Sequence, residues 1–402
     1  MTVLSDDLMT PDVIVDPHSY YRQLREADPV HWNERWGGWI LTRYDDVVKV
    51  LRNSQQFSSD RMAYLARELS DEEKDQYAIL FDVLSRWLVF IDPPAHTNLR
   101  LLLNPRFTPT AVEGYRPMVR SIVKKLLDEI QDKGRMDVVR DFAYQVPMSV
   151  ILELIGAPQL DRERIKEWSE LLGTFFFIRA DESRRREIAT EGVRSLVNYL
   201  APLVEERRAN PTADLISLLL SAQEEGEVTD EDVIATCVLL VFGGHETTMN
   251  LIANGTLALM QHPEQWDRLQ QEPDLVNSAV EELLRYDGSV KATVRWAKEE
   301  VDIGGKTLKK GDRALVGLSG ANRDPEQFDD PNGLDLARDP NPHVAFAHGI
   351  HVCLGAPLAR LEAQEAFSEL TQRLPCPAFE KQELEYFPTV VHRALKSLPV
   401  TF

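Results

Sequence analysis

Apolar side chains recur every three or four positions through most of this chain, and the longest stretch so patterned opens at Thr229. Thr229, with Asp232 three residues on, makes a capping box, and the helix it starts runs to about Gln261, where His262-Pro263 stops it. That is roughly 30 residues, or about 45 Å at about 1.5 Å each. Its middle, Val238-Leu239-Leu240-Val241-Phe242, is apolar on every face and has to be buried. The same period predicts a helix at Pro17–Ala27, a short one over 45–51, amphipathic helices over 111–132 and 142–155, and two more across 161–209. A final helix runs from Ala356 to about Arg373. Strands are few: Val30-His31-Trp32 and Trp39-Ile40-Leu41-Thr42 flank the hairpin signal Gly37-Gly38, and 290–296 reads as another. Residues 58–90 hold no long clear period. The pattern gives a mainly α fold with small β-sheets, in a single domain over 1–402 because no linker interrupts it.

Into the buried middle of the long helix the sequence sets Gly243-Gly244-His245-Glu246-Thr247-Thr248. Two glycines inside a helix cost about 1 kcal/mol each against alanine, so they need a cause. A flat ligand lying against the helix supplies one, and a glycine pair followed by threonines can open the backbone ladder into a groove. Glu246 and Thr247 put an acid and an alcohol at that notch, the pair that proton delivery to bound oxygen requires. His245 points about 100° away from either neighbour and is read as structural. Phe175-Phe176-Phe177 cannot all face one side of a helix, so at least one should face a cavity or another segment.

A second concentration of chemistry is the stretch Phe346-Ala347-His348-Gly349-Ile350-His351-Val352-Cys353-Leu354-Gly355, just before the last helix. Gly349 and Gly355 allow turns a Cβ would forbid and let a flat ligand come close to the main chain. Cys353 stands at the start of that helix, with Pro357 in its first turn. The positive helix end and its free N–H groups favour the thiolate over the thiol. Phe346 should wall off the sulfur, and His351 should point to the same side of the loop. His96 and Arg100, four apart after Asp92-Pro93-Pro94, share a helix face that suits a carboxylate, and Glu282 with Arg285 has ion-pair spacing.

Composition changes the picture mainly by exclusion. Lys plus Arg number 45 against 65 Asp plus Glu, a net charge of −20 that repels phosphate backbones and anionic membranes, so no nucleic acid partner is expected. Cys237, Cys353 and Cys376 match no disulfide framework or zinc site. The first residues lack a signal-peptide pattern and no apolar run reaches the roughly eighteen residues a membrane span needs. A soluble, cytoplasmic protein with no membrane partner is the expectation.

The spacing Phe-x-x-Gly-x-x-x-Cys-x-Gly resembles the haem-binding loop of the cytochrome P450 family, the haem-thiolate monooxygenases. Residues 243–247 resemble that family's Ala/Gly-Gly-x-Asp/Glu-Thr motif, and five motifs stand in the family's order. One departure is Ala347, where many members carry glycine. The resemblance implies a P450 fold of helix-rich and smaller β-rich lobes, with heme b (iron protoporphyrin IX) between the long helix and the one after Cys353. It makes Cys353 the axial iron ligand, places Gly244 and Phe346 against the cofactor, and gives His96, Arg100, Arg295 and His351 to the propionates. Thr247 would steady the bound oxygen and Glu246 would relay protons. Arg338 would join Glu282 and Arg285 in a cluster locking the approach to the cysteine loop.

The implied activity inserts one oxygen atom of O2 into a C–H or C=C bond of a small apolar organic substrate. Electrons would come from a ferredoxin or flavodoxin-type donor with its reductase, docking near Arg100, Arg106 and Arg360. Segments 60–90, 170–190, 288–294 and 388–391 would line the substrate pocket. A hydrogen-peroxide-driven peroxygenase and a non-catalytic haem-based sensor would keep the same fold. A hydrolase using Cys353 as nucleophile lacks a catalytic His motif to support it.

Overall fold

In the computed structural model, residues 6–176, 182–224, 228–380 and 383–402 are described, and helices dominate them. The chain forms two compact units: Met1–Ser58, Pro109–Val146 and Thr247–Phe402 make the first, and Ser59–Thr108 with Pro147–Glu246 the second.

The first unit holds the sheets. Gly37, at φ +67°, turns the expected hairpin between Val30–Asn33 and Gly38–Leu41, with Trp32 opposite Trp39. Gly38–Leu41 then pairs in parallel with Arg313–Gly317, which pairs antiparallel with Ala292–Ala297, and Phe57–Ser58 closes a five-stranded sheet. Helix Tyr44–Arg52 presents Val47, Val50 and Leu51 to this sheet's core, beside Val30, Leu41, Phe57 and Val316. Arg135–Asp137, Pro399–Thr401 and Ala378–Phe379 form a three-stranded sheet. The helix expected over 111–132 is divided into Pro109–Glu113 and Arg116–Ile130, because Gly114 and Tyr115 loosen the ladder and Pro117 starts the next first turn. Its buried stripe, Val119, Val123, Leu127 and Ile130, keeps the helical period that exposed it in the sequence.

Helix Val276–Asp287 carries the ion cluster that shapes the following chain. Glu282 and Arg285 have fully buried side chains, bonded at 2.7 and 2.8 Å, and Arg338 Nε donates to Glu282 at 3.1 Å, so the three-residue cluster is present as expected. Arg285 also donates to the carbonyls of Asn322, Pro331 and Gly333 at 2.9, 2.8 and 2.8 Å.

The second unit has helices and connecting loops and no strand among its described residues. Residues 58–90 contain three short helices, Arg61–Ala66, Asp71–Gln76 and Ala78–Ser85, each too brief for a period to show in sequence. Ala95–Leu103, Arg162–Gly173, Glu182–Ala209 and Leu215–Glu224 follow. The long helix runs Asp230–Gln261, opened by Thr229 and Asp232, whose side chains bond each other's backbone N–H at 3.3 and 2.9 Å. Among the described residues no helix is long and apolar enough to cross a membrane.

Arg285→Ala should cost about 3–5 kcal/mol in urea unfolding, because it leaves the Glu282 carboxylate buried with one of its two cationic partners gone. A loss under about 1 kcal/mol would show that the pair carries no such burden.

Candidate active site

In the first unit the cysteine loop is built as a rigid hook. Cys353 N–H donates to Phe346 O at 2.9 Å and Val352 N–H to Gly349 O at 3.1 Å, with a 3-10 turn over Gly349–His351 between. Gly349 has φ +74°, and a Cβ there would run into Leu51 O, so only glycine fits. Ala347 also sits in the left-handed region, at φ +59°, where a side chain is strained. The glycine common at this position in the resembled family would relieve that strain. Helix Ala356–Arg373 begins as expected, its apolar side buried from Ala356 through Leu370, while Cys353 ahead of it stays exposed.

What fixes Phe346 was not foreseen. Arg360, one helical turn into that helix, lays its guanidinium 4.6 Å from the Phe346 ring centroid. Glu281 holds Arg360 with two hydrogen bonds at 2.6 and 2.8 Å. It also accepts from His343 Nε2 at 2.9 Å, while His343 Nδ1 accepts from Ala345 N–H at 3.2 Å, which sets the tautomer. Burial alone would raise the Glu281 carboxyl, but the bonds from His343 and Arg360 outweigh it and bring it down to about 2. Glu281 directly precedes the conspicuous Glu282, and nothing local distinguishes it. Arg360 thus has a structural engagement already, which weakens its assignment to a docking patch.

Arg295, on strand Ala292–Ala297, is 5% exposed and donates to Thr293 Oγ1 at 3.1 Å and Val294 O at 2.9 Å. His351 is half-buried on the 3-10 turn. The hydroxyl-bearing Thr247 belongs to this unit as well, at the point where the division falls within the long helix.

In the second unit His96 is buried and Arg100 half-buried on helix Ala95–Leu103, with Arg100 Nε donating to Asn104 Oδ1 at 2.8 Å. The long helix stays α-helical through Gly243 and Gly244, so the opened ladder expected there is not formed. Packing gives Gly244 its own cause: a Cβ would lie 2.5 Å from Ile151 Cδ1, on helix Gln145–Ile155. His245 Nδ1 donates to Val241 O at 2.6 Å, the structural role expected of it. Burial pushes the Glu246 carboxyl up, against the opposing pull of His245. One turn earlier, Phe242 stacks on Phe176 at 5.3 Å and on Trp87 at 5.5 Å, and Phe175 meets Phe176 edge-on at 5.3 Å. Of the three adjacent aromatics, the two described are core; Phe177 lies outside the described residues.

A family model described as "Cytochrome P450" matches residues 17–385. The chain belongs to the cytochrome P450 family. Over the whole of both chains it is 39% identical to the biotin biosynthesis cytochrome P450 of Bacillus subtilis (strain 168). It is 36% identical to the cytochrome P450 monooxygenase PikC of Streptomyces venezuelae, over 99% of this chain and 94% of that one. The crystal structure of P450BioI in complex with hexadec-9Z-enoic acid ligated acyl carrier protein superposes with TM-score 0.90 at 37% identity, covering 97% of this chain and 100% of that one. This P450 is therefore an oxygen-incorporating oxidoreductase, and its family uses a haem iron.

The residues present fit such a group. Of the three cysteines Cys353 alone is exposed, and its sulfur stands just ahead of the first turn of helix Ala356–Arg373, a donor suited to an iron. Gly355 has an ordinary φ of −79°, and nothing lies within 4 Å of where its Cβ would stand. Neither backbone nor packing asks for glycine there, whereas a flat ring system lying over the loop would.

Two outcomes follow. Ala347→Gly should raise stability by about 0.5–1 kcal/mol, the left-handed penalty less the added chain entropy, read as a higher urea midpoint at unchanged slope. The lowered Glu281 carboxyl contributes stability that is present above its ordinary 4.5 and is lost as pH falls towards about 2. Acid unfolding of Glu281→Gln should therefore be shallower than wild type across that window; superimposable curves would show that the pairing adds nothing.

Proposed function

We propose that this P450 is a haem-thiolate monooxygenase that inserts one atom of O2 into a C–H or C=C bond of an apolar small molecule, with heme b as its cofactor. Electrons come from a separate ferredoxin or flavodoxin-type protein. The observation that carries the reading is Cys353, left exposed at the head of a buried helix and tied by its own N–H to Phe346 O. Haem supplies an iron that binds and activates dioxygen. Cys353 would be the protein's ligand to it and Phe346 would shield the sulfur, whereas Gly244, expected against the cofactor, is accounted for by its packing against Ile151. In the first unit Arg295 and His351 would bind propionate, and the family resemblance gives the same task to His96 and Arg100. The family match spans both units, which supports one P450 domain over 1–402.

Glu246 and Thr247 are the catalytic residues of the proposal. A carboxyl whose charge is disfavoured by burial keeps its proton nearer to neutral pH than an exposed one, so it can both take and give one. The Thr247 hydroxyl, next in sequence, both donates and accepts, which suits it to hold the oxygen and pass that proton on. This pair favours O2 over hydrogen peroxide as the oxidant, since peroxide already carries the protons and electrons. The fatty acyl ligand of the P450BioI complex supports an apolar, chain-like substrate.

The reduced wild-type protein with carbon monoxide should show the red-shifted Soret band of thiolate ligation, and Cys353→Ala should lose it. In Thr247→Ala, reductant should still be consumed while hydrogen peroxide accumulates and product per reductant falls on the order of 10²-fold. Undiminished coupling would remove Thr247 from the mechanism.

A further inference from the structure

Lys291 is a charged side chain in the first unit that the chemistry above does not use. It is 4% exposed, and its Nζ donates to Thr389 O at 2.7 Å. Its backbone is clamped on both sides: its N–H donates to Val391 O at 2.7 Å, its carbonyl accepts from Ser319 N–H at 3.0 Å, and neighbouring Val290 pairs with His392 in an isolated bridge. Among the described residues no carboxylate comes within ion-pair distance of it. Asp287 acts on it only at longer range and is already engaged by Arg393 at 3.2 Å and His18 at 2.9 Å.

The other facing groups worsen the position. Arg393 repels the ammonium, and the His392 ring, pushed down to about 4 by burial and by Lys291, offers no negative charge. Burial pushes Lys291 itself down to about 7. An ammonium has three N–H donors, and one carbonyl is poor compensation for taking it out of water. A methionine of similar length would fill the same volume without that cost.

The strand supplies a direction. The hydrogen bond from Arg295 to Thr293 Oγ1 places residues 293 and 295 on one face. Alternation along the extended chain puts residue 291 on that face too, roughly 13 Å of strand from Arg295. In the function proposed above Arg295 faces the cofactor, so residue 291, next to that strand and on the same face, is placed toward the side where a substrate would lie, and the inference rests on that reading. We propose that Lys291 binds the carboxylate of a substrate whose remaining body is apolar, a fatty-acid-like carboxylic acid.

The test measures binding of laurate and dodecanol to the holoenzyme by equilibrium dialysis, which needs no signal from the iron. Lys291→Met should weaken laurate by about 10- to 100-fold, the scale of a charge-assisted hydrogen bond, and leave dodecanol within about threefold. Lys291→Gln retains a donor for Thr389 O without the charge and should show the same selective loss, which separates the anchor from a collapsed loop. Lys291→Arg should retain most of the preference. In wild type the preference for laurate should be largest below the Lys291 midpoint and fade as pH rises past it, while dodecanol stays level. A laurate-to-dodecanol ratio equal in wild type, Met and Gln variants overturns the proposal. If that result accompanies an intact thiolate–carbon monoxide spectrum, only the carboxylate anchor fails; a missing spectrum in wild type would instead sink the monooxygenase reading.

Discussion

The carboxyl-terminal fold of this P450 depends on an ion pair that water does not reach, Glu282 with Arg285. Such a pair adds little net stability over apolar residues of equal volume, because both charges had to be desolvated. Its contribution is positional. Arg285 also satisfies the carbonyls of Asn322, Pro331 and Gly333, and Glu282 accepts from Asp335 N–H at 3.0 Å and from Arg338. An apolar replacement would leave these buried backbone groups without partners. The coil through the 320s and 330s is thereby fixed to one helix, and that coil delivers the chain to the cysteine loop. The neighbouring Glu281 repeats the arrangement one residue earlier, fixing Arg360 and His343 around Phe346. Two adjacent carboxylates on one helix thus set both the approach to the hook and the ring that backs it.

How much of this the sequence disclosed follows from how far apart the partners lie. Helix Asp230–Gln261 was legible to the residue at its stop, because a capping box and a His-Pro pair are local signals. The Trp32–Trp39 hairpin was legible through Gly37-Gly38 for the same reason. Glu282 and Arg285 were legible because three residues separate them. The Glu281–Arg360 bond spans 79 positions, and no periodicity reports a contact of that range. The three helices in 58–90 were missed for the opposite reason: six to eight residues complete too few turns to outweigh chance.

The glycines separate into kinds that the sequence alone merges. Gly349 is demanded by the protein itself, through a positive φ and Leu51 O. Gly244 is demanded by packing against Ile151, within an unbroken helix, so its presence does not require a groove. Gly355 is demanded by neither, since its φ is ordinary and nothing lies within 4 Å of where its Cβ would stand, which leaves the main chain there open to close approach. Ala347 inverts the case, holding a side chain at φ +59° where glycine would be easier. A motif that reads as one pattern therefore contains a steric requirement, a tolerated strain and a reserved space.

The net charge of −20 says little about the interior, where the rule is pairing or neutralisation. Asp287 and Glu281 remain charged because bound cations more than offset their burial, and both are held below the ordinary carboxylate range. Glu362, on the helix after Cys353, shows the other outcome: its Oε2 has no hydrogen-bond partner and burial alone pushes its carboxyl well up. Glu246 shifts in the same direction, again through burial, with His245 pulling the other way. Lys291 follows the rule with opposite sign, its charge disfavoured by burial and by Arg393. Interior groups held charged by partners therefore build the scaffold. Those that burial leaves near neutrality are the ones whose state a substrate or a proton can change.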